Sequence, residues 1–197
     1  MSRFVVATFN RDKASELGAL LALAGVTLVP LADWPGAGPP EETGSTLLEN
    51  ARLKARAAAA LTGLPAIADD TGLAVDALGG APGVRAARYA GPVATYAENV
   101  AKLLRDLAGV PPARRTARFQ TVCVAAWPDG RELSADGVLE GVIVESPRGA
   151  NGFGYDPVFA PLGELRTYAE MTDAEKNAMS HRARAVRALG EKLADVG

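Results

Sequence analysis

Short apolar runs separated by polar turns, and longer stretches in which apolar residues recur every three or four positions, set the layout of this chain. Phe4 to Ala7 is a continuous apolar run and predicts a buried strand. After a polar turn, Leu17, Leu20, Leu21 and Ala24 fall on one face of a helix that Gly25 closes. Strand, turn and helix in that order open an α/β protein. Thr27 to Leu31 predicts a second strand, and Ala32 to Ser45, rich in Gly and Pro, a loop.

Thr46 and Glu49 have the spacing of a capping box, and Leu47, Leu48, Ala51, Ala55, Ala58 and Ala59 then recur at helical intervals. Pro65 to Ala68 is a short apolar run that ends in Asp69-Asp70-Thr71-Gly72. This predicts two carboxylates at the C-terminal end of a strand, where open α/β sheets place ligands. Thr95 and Glu98 repeat the capping box ahead of Val100, Leu103, Leu104 and Leu107, before Gly109 and the Pro111-Pro112 break. Arg118 to Trp127 predicts a strand, Pro128-Asp129-Gly130 a hairpin turn, and Arg131 to Glu145 one or two returning strands, so the middle of the sheet is expected to be antiparallel. Thr172 with Glu175 is a third capping box. On one straight helix Lys176 and His181 would lie about 140° apart. Ser180, as an N-cap, would break that helix in two and bring Lys176, His181 and Arg182 round a common point.

A length of 197 residues favours one domain, 1–197. With 21 basic and 23 acidic residues the formal charge is -2, which argues against a general nucleic-acid binder and for a small polyanion as partner. The single cysteine, Cys123, excludes an intrachain disulfide and sits in the apolar Thr121 to Ala126, where it is expected to be strand filler. Leu17 to Ala32 is too interrupted for a membrane span, and the first apolar run is too short for a secretory signal. A cytoplasmic location is therefore expected.

Four groups of residues have the chemistry of a site. Thr8-Phe9-Asn10-Arg11-Asp12-Lys13 joins a strand to a helix start, where backbone N–H groups and the helix dipole favour phosphate. The acidic pairs Glu41-Glu42 and Asp69-Asp70 suit Mg²⁺, which takes one or two carboxylates while substrate phosphates supply the rest. Strand alternation lets only one of Asp69 and Asp70 face a given site. Asn151-Gly152-Phe153-Gly154-Tyr155-Asp156-Pro157 mixes glycines, aromatic rings and a carboxylate, which suits a flat heterocycle and equally a tight turn entering a strand. Of only five lysines, Lys13, Lys54 and Lys176 fall in or beside such segments. Neither a Gly-x-x-x-x-Gly-Lys loop nor a Gly-x-Gly-x-x-Gly fingerprint occurs.

In order and spacing, Thr8 to Lys13, EETGSTLLENARLK (41–54), LPAIADDTGLAVDALGGAPGVRAARY (64–89), GANGFGYDPVF (149–159) and MTDAEKNAMSHR (171–182) resemble the inosine and xanthosine triphosphate pyrophosphatases. The resemblance spans nearly the whole chain. It implies an α/β fold with a long mixed β-sheet and flanking helices forming two lobes around a central nucleotide cleft. It also implies a homodimer and Mg²⁺-dependent hydrolysis of ITP, dITP and XTP to monophosphate and pyrophosphate. By the same resemblance Thr8, Asn10, Lys13 and Lys54 contact phosphates, Asp70 is general base and metal ligand, and Thr71 touches substrate. A second metal ligand is Glu41 or Glu42, with the spacing to Gly44 favouring Glu41. Phe153, Gly154, Tyr155 and Asp156 form the base pocket, and Lys176, His181 and Arg182 read the purine edge. The chain departs from the family at Phe9, where a small residue is usual, and at Thr71, where Ser is frequent. Two rival functions are a related pyrophosphatase for modified pyrimidines or canonical triphosphates, and a nucleotide sensor without turnover.

Overall fold

A computed structural model describes residues 3–23 and 26–195. Ala24, expected on the apolar face of the first helix, and Gly25, expected to close it, lie outside the described residues. The strands are β1 (Arg3–Val6), β2 (Thr27–Pro30), β3 (Ala66–Val75), β4 (Pro82–Gly83), β5 (Thr116–Ala126), β6 (Glu132–Ile143) and β7 (Phe159–Pro161). The α-helices are α1 (Arg11–Leu23), α2 (Leu47–Thr62), α3 (Tyr96–Asp106), α4 (Asp173–Met179) and α5 (His181–Ala194). The strands form one mixed sheet in the order β2-β1-β3-β5-β6-β7, with β4 paired to β3. No helix among the described residues is long and apolar enough to cross a membrane.

The chain divides into two compact units: residues 1–70, 121–137 and 181–197 in the first, and 71–120 and 138–180 in the second. It passes between them within β3, β5 and β6 and once more at Ser180-His181.

In the first unit β1 runs parallel to both β2 and β3, with Val5 opposite Val29 on one side and Ala66 on the other. Parallel neighbours need a crossover, and α1 makes the one from β1 to β2. Leu17, Leu20 and Leu21 of α1 pack with Phe4, Val6 and Ile67 of the strands and with Val186 and Leu189 of α5. Cys123 is fully buried in the same core, and burial pushes its thiol pKa up, so it is filler as expected.

In the second unit β3 pairs antiparallel with β4, and β6 with β7. Leu103 and Leu107 enter a core with Phe119, Phe159 and Tyr168. There the Phe119 and Phe159 rings meet edge to face at 4.6 Å between centroids.

All three expected capping boxes are present, at Thr46/Glu49, Thr95/Glu98 and Thr172/Glu175. A helix break at Ser180 separates α4 from α5. One expectation changes. Asp69-Asp70-Thr71-Gly72 does not end a strand, because β3 continues through it to Val75. Both aspartates are buried there and engaged by ion pairs and hydrogen bonds, so their polarity does not force a turn.

Candidate functional site

The first unit gathers most of the candidate charges around β3. Asn10 caps α1: its Oδ1 accepts the N–H groups of Asp12 at 3.0 Å and Lys13 at 3.1 Å, and its own N–H donates to Thr8 Oγ1. The turn expected to offer free N–H groups to phosphate has therefore already used these two. What it still presents is the Lys13 ammonium, mostly buried and 3.6 Å from Asp69. Phe9, a possible obstruction, is 37% exposed and does not fill the core.

Asp69 accepts from Nε and Nη2 of Arg182, each at 3.2 Å, and Arg182 also donates through Nη1 to Glu16. Burial alone would raise the Asp69 carboxyl, but Lys13, Arg182 and Lys54 overcome it and hold it well below the usual carboxylate range. Asp70, one residue on, has other partners. Its Oδ1 accepts from Lys54 Nζ at 2.9 Å and its Oδ2 from Asn50 Nδ2 at 3.3 Å. Burial pushes its pKa up, and Lys54 and Lys13 offset that only partly. The two acids thus have separate partner sets, as strand alternation requires.

Lys54 also donates to Glu42 Oε1 at 3.1 Å, so one ammonium is shared by carboxylates from the loop and from β3. Glu41 is exposed, and Glu42 is the acid that converges with Asp70, against the preference drawn from the spacing to Gly44. The loop is held by Asn50, a fully buried polar residue on the apolar face of α2 whose Oδ1 accepts the Gly44 N–H at 2.9 Å. A Cβ at Gly44 would lie 2.5 Å from that same oxygen. Two carboxylates focused on one cation fit Mg²⁺ taking its remaining ligands from phosphate and water. Among the described residues no group of three or more His, Cys, Asp or Glu is placed to hold a metal by protein ligands alone.

The second unit contains the expected aromatic segment. Asp156 is buried, and its Oδ2 accepts from Lys176 Nζ at 2.6 Å and from the Phe153 N–H at 2.9 Å. Lys176 stands 4.9 Å from the Phe153 ring centroid, a cation–π contact. The half-buried Phe153 ring also lies 5.9 Å from that of Tyr96, and both line an apolar depression of about 460 Å³ with Val100, Leu104 and Gly154. Gly152, at φ 70°, has no room for a Cβ, which would collide with Asp156 Oδ2. Tyr155 is buried and donates its hydroxyl to Ala86 O at 2.8 Å. It is part of the scaffold of this loop, not an open face for a base.

Lys176, His181 and Arg182, expected to read the purine edge together, are divided between the two units, Lys176 in the second and the other two in the first. Lys176 serves Asp156 and Phe153, whereas Arg182 is 2% exposed and gives its donors to Asp69 and Glu16. His181 is buried at the start of α5, and Thr71 is half-buried in β3. Asn50 and Glu16 were not among the expected site residues, and Asp69 was weighed only as the alternative to Asp70. Asn50 alone left a signal, a polar residue within a helical apolar stripe.

Residues 4–192 match the Ham1 family. The chain is 48% identical over 196 residues to the dITP/XTP pyrophosphatase of Geobacillus kaustophilus, covering 100% of this chain and 96% of the relative. It is 50% identical over 195 residues to that of Shigella flexneri, covering 98% of each. Its structure superposes on a HAM1 protein from Coxiella burnetii with a TM-score of 0.88 at 43% identity, covering 99% of this chain and 100% of that one.

Proposed function

The chain belongs to the Ham1 family, and we propose that it hydrolyses dITP, ITP and XTP to the monophosphate and pyrophosphate, removing them from the nucleotide pool. The observation that carries this is the convergence of Asp70 and Glu42 on a single cationic position, 2.9 and 3.1 Å from Lys54 Nζ.

Asp70 orients a water for attack on the α-phosphorus and takes its proton. Its burial favours the protonated form, which brings its basicity closer to neutral pH than that of an open carboxylate. Lys13 and Lys54 stabilise charge on the phosphate oxygens. Asp70 and Glu42 would hold Mg²⁺, which would supply neutralising charge for the departing pyrophosphate. Thr8 and Asn10 shape the turn that presents Lys13, and Thr71 is a substrate contact beside Asp70.

In the second unit Phe153 is the stacking face and Gly154 allows close approach. Lys176, aimed by Asp156, donates to a 6-oxo group, and Tyr155 fixes the loop. His181, in the first unit, is given to the purine edge by the family resemblance alone. Adenine carries an amino donor at that position, so donor would meet donor and a buried group would be left unpaired. Both units serve one pyrophosphatase domain, 1–197, as a cytoplasmic homodimer. This last statement rests on the family resemblance and, for the compartment, on the lone buried thiol.

The test is pyrophosphate release from dITP, ITP, XTP, GTP and ATP with and without Mg²⁺. Metal-dependent release from the oxo-purines, with ATP much the poorest, is the expected result. Binding without release would make the protein a sensor.

A further inference from the structure

Lys54 is assigned above to substrate phosphates, yet its ammonium is already engaged. It lies 2.9 Å from Asp70 Oδ1 and 3.1 Å from Glu42 Oε1, with only 11% of the side chain exposed. Two carboxylates and one ammonium leave a local charge of about -1, and a divalent cation entering while the ammonium stays would meet a positive charge a few ångströms away. In a poorly hydrated position that repulsion is not screened. Lysine is suited to yield: a compact charge on a flexible stem can change partners without moving its helix.

We propose that Lys54 is the internal competitor of the divalent cation. Its ammonium neutralises Glu42 and Asp70 until the cation arrives, and leaves them for the triphosphate when it binds. This rests on the reading in which Glu42 and Asp70 hold the metal. The carboxylates keep their places meanwhile because Asn50 bonds both the loop, through the Gly44 N–H, and Asp70. Metal affinity is therefore low for the protein alone and rises when triphosphate offers Lys54 another partner, with nucleotide affinity raised by metal to the same degree.

The experiment is calorimetric titration of Mn²⁺ alone into the full chain and into Lys54→Met and Lys54→Arg, together with thermal unfolding with and without Mn²⁺. Removing the competing charge is expected to tighten Mn²⁺ binding about tenfold or more in Lys54→Met. Lys54→Arg, which keeps the charge, is expected to resemble the parent. Mn²⁺ should also raise the melting temperature of Lys54→Met more than that of the parent. If Lys54→Met does not fold, Lys54→Gln replaces it as the neutral variant. Equal or weaker binding by the neutral variant, still abolished by Asp70→Asn, overturns the competition and leaves the metal assignment standing. Absence of Mn²⁺ binding in every variant removes the metal assignment itself, and this inference with it.

Discussion

Asp69 and Asp70 are neighbours in β3 whose carboxylates have separate partners: Asp69 meets Arg182 and Lys13, and Asp70 meets Lys54 and Asn50. One is held ionised by three cations, Lys13, Arg182 and Lys54. The other has its pKa raised by burial, with the opposing cations too weak to reverse it. Environment alone separates a structural acid from a candidate base.

Asp70→Asn is expected to lower turnover by about 10²- to 10⁴-fold, the range for losing a positioned base, while the fold persists. The substitution barely changes volume, and it leaves one oxygen for one of the two donors, Lys54 or Asn50. Pyrophosphate release and a circular dichroism spectrum check it; near-normal turnover with normal metal dependence would reject the role.

Asp69→Asn is expected to act on stability. It strips a fully buried guanidinium of half its compensation, and breaking a buried pair costs roughly 3–5 kcal/mol. Because the folded-state pKa of Asp69 is depressed, its contribution is complete above the ordinary value of 3.8 and is lost as pH falls from there towards the folded value. Melting temperatures of parent and variant should differ by a constant amount from about pH 8 to about pH 5 and converge only in stronger acid. A gap that closes near neutrality would contradict the ion pairing.

Phe153→Ala is expected to weaken nucleotide binding by roughly 1–3 kcal/mol, and by similar amounts for different purines. Gly152→Ala should imitate it without touching the ring, since the new Cβ would displace the Asp156 oxygen that fixes both Lys176 and the Phe153 N–H. Equilibrium binding of nucleoside monophosphates measures both. If each variant lost only thermal stability, the segment would be a turn and nothing more.

Arg182→Ala discriminates the role expected from sequence from the one its contacts favour. A donor on the purine edge would, when deleted, cost ITP and XTP far more than ATP. A guanidinium committed to Asp69 and Glu16 would instead cost all substrates the same fraction and lower the melting temperature, and that is the outcome we expect. Relative kcat/KM values for ITP, XTP and ATP decide.

Much of this arrangement was legible because it is written in local chemistry. A Thr and a Glu three residues apart bond to each other's backbone whatever surrounds them, so the starts of α2, α3 and α4 could be read directly. Continuous apolar runs gave β1 and the beginning of β3. The extension of β3 through Asp69-Asp70-Thr71-Gly72 was not readable, because those residues favour turns and are held extended by distant partners. β7, three residues long, carries no period to detect. The pairing of Arg182 was unreadable for the same reason. Its binding to Asp69 joins positions 113 residues apart, and a helix wheel says nothing about which carboxylate waits at its end.

That both acids belong to a single extended strand has an evolutionary corollary. Side chains alternate with a period of two, so changing the β3 stretch ahead of Asp69 by one residue would turn both carboxylates to the opposite face: an insertion would bring Asp69 to the position facing Lys54, and a deletion would bring Asp70 to the position facing Arg182. Substitutions in Ala66–Ala68 need only conserve bulk, but the count of residues there is as constrained as the identity of Asp70. Descendants of this sequence should vary in length in the loop before Glu41 and not here.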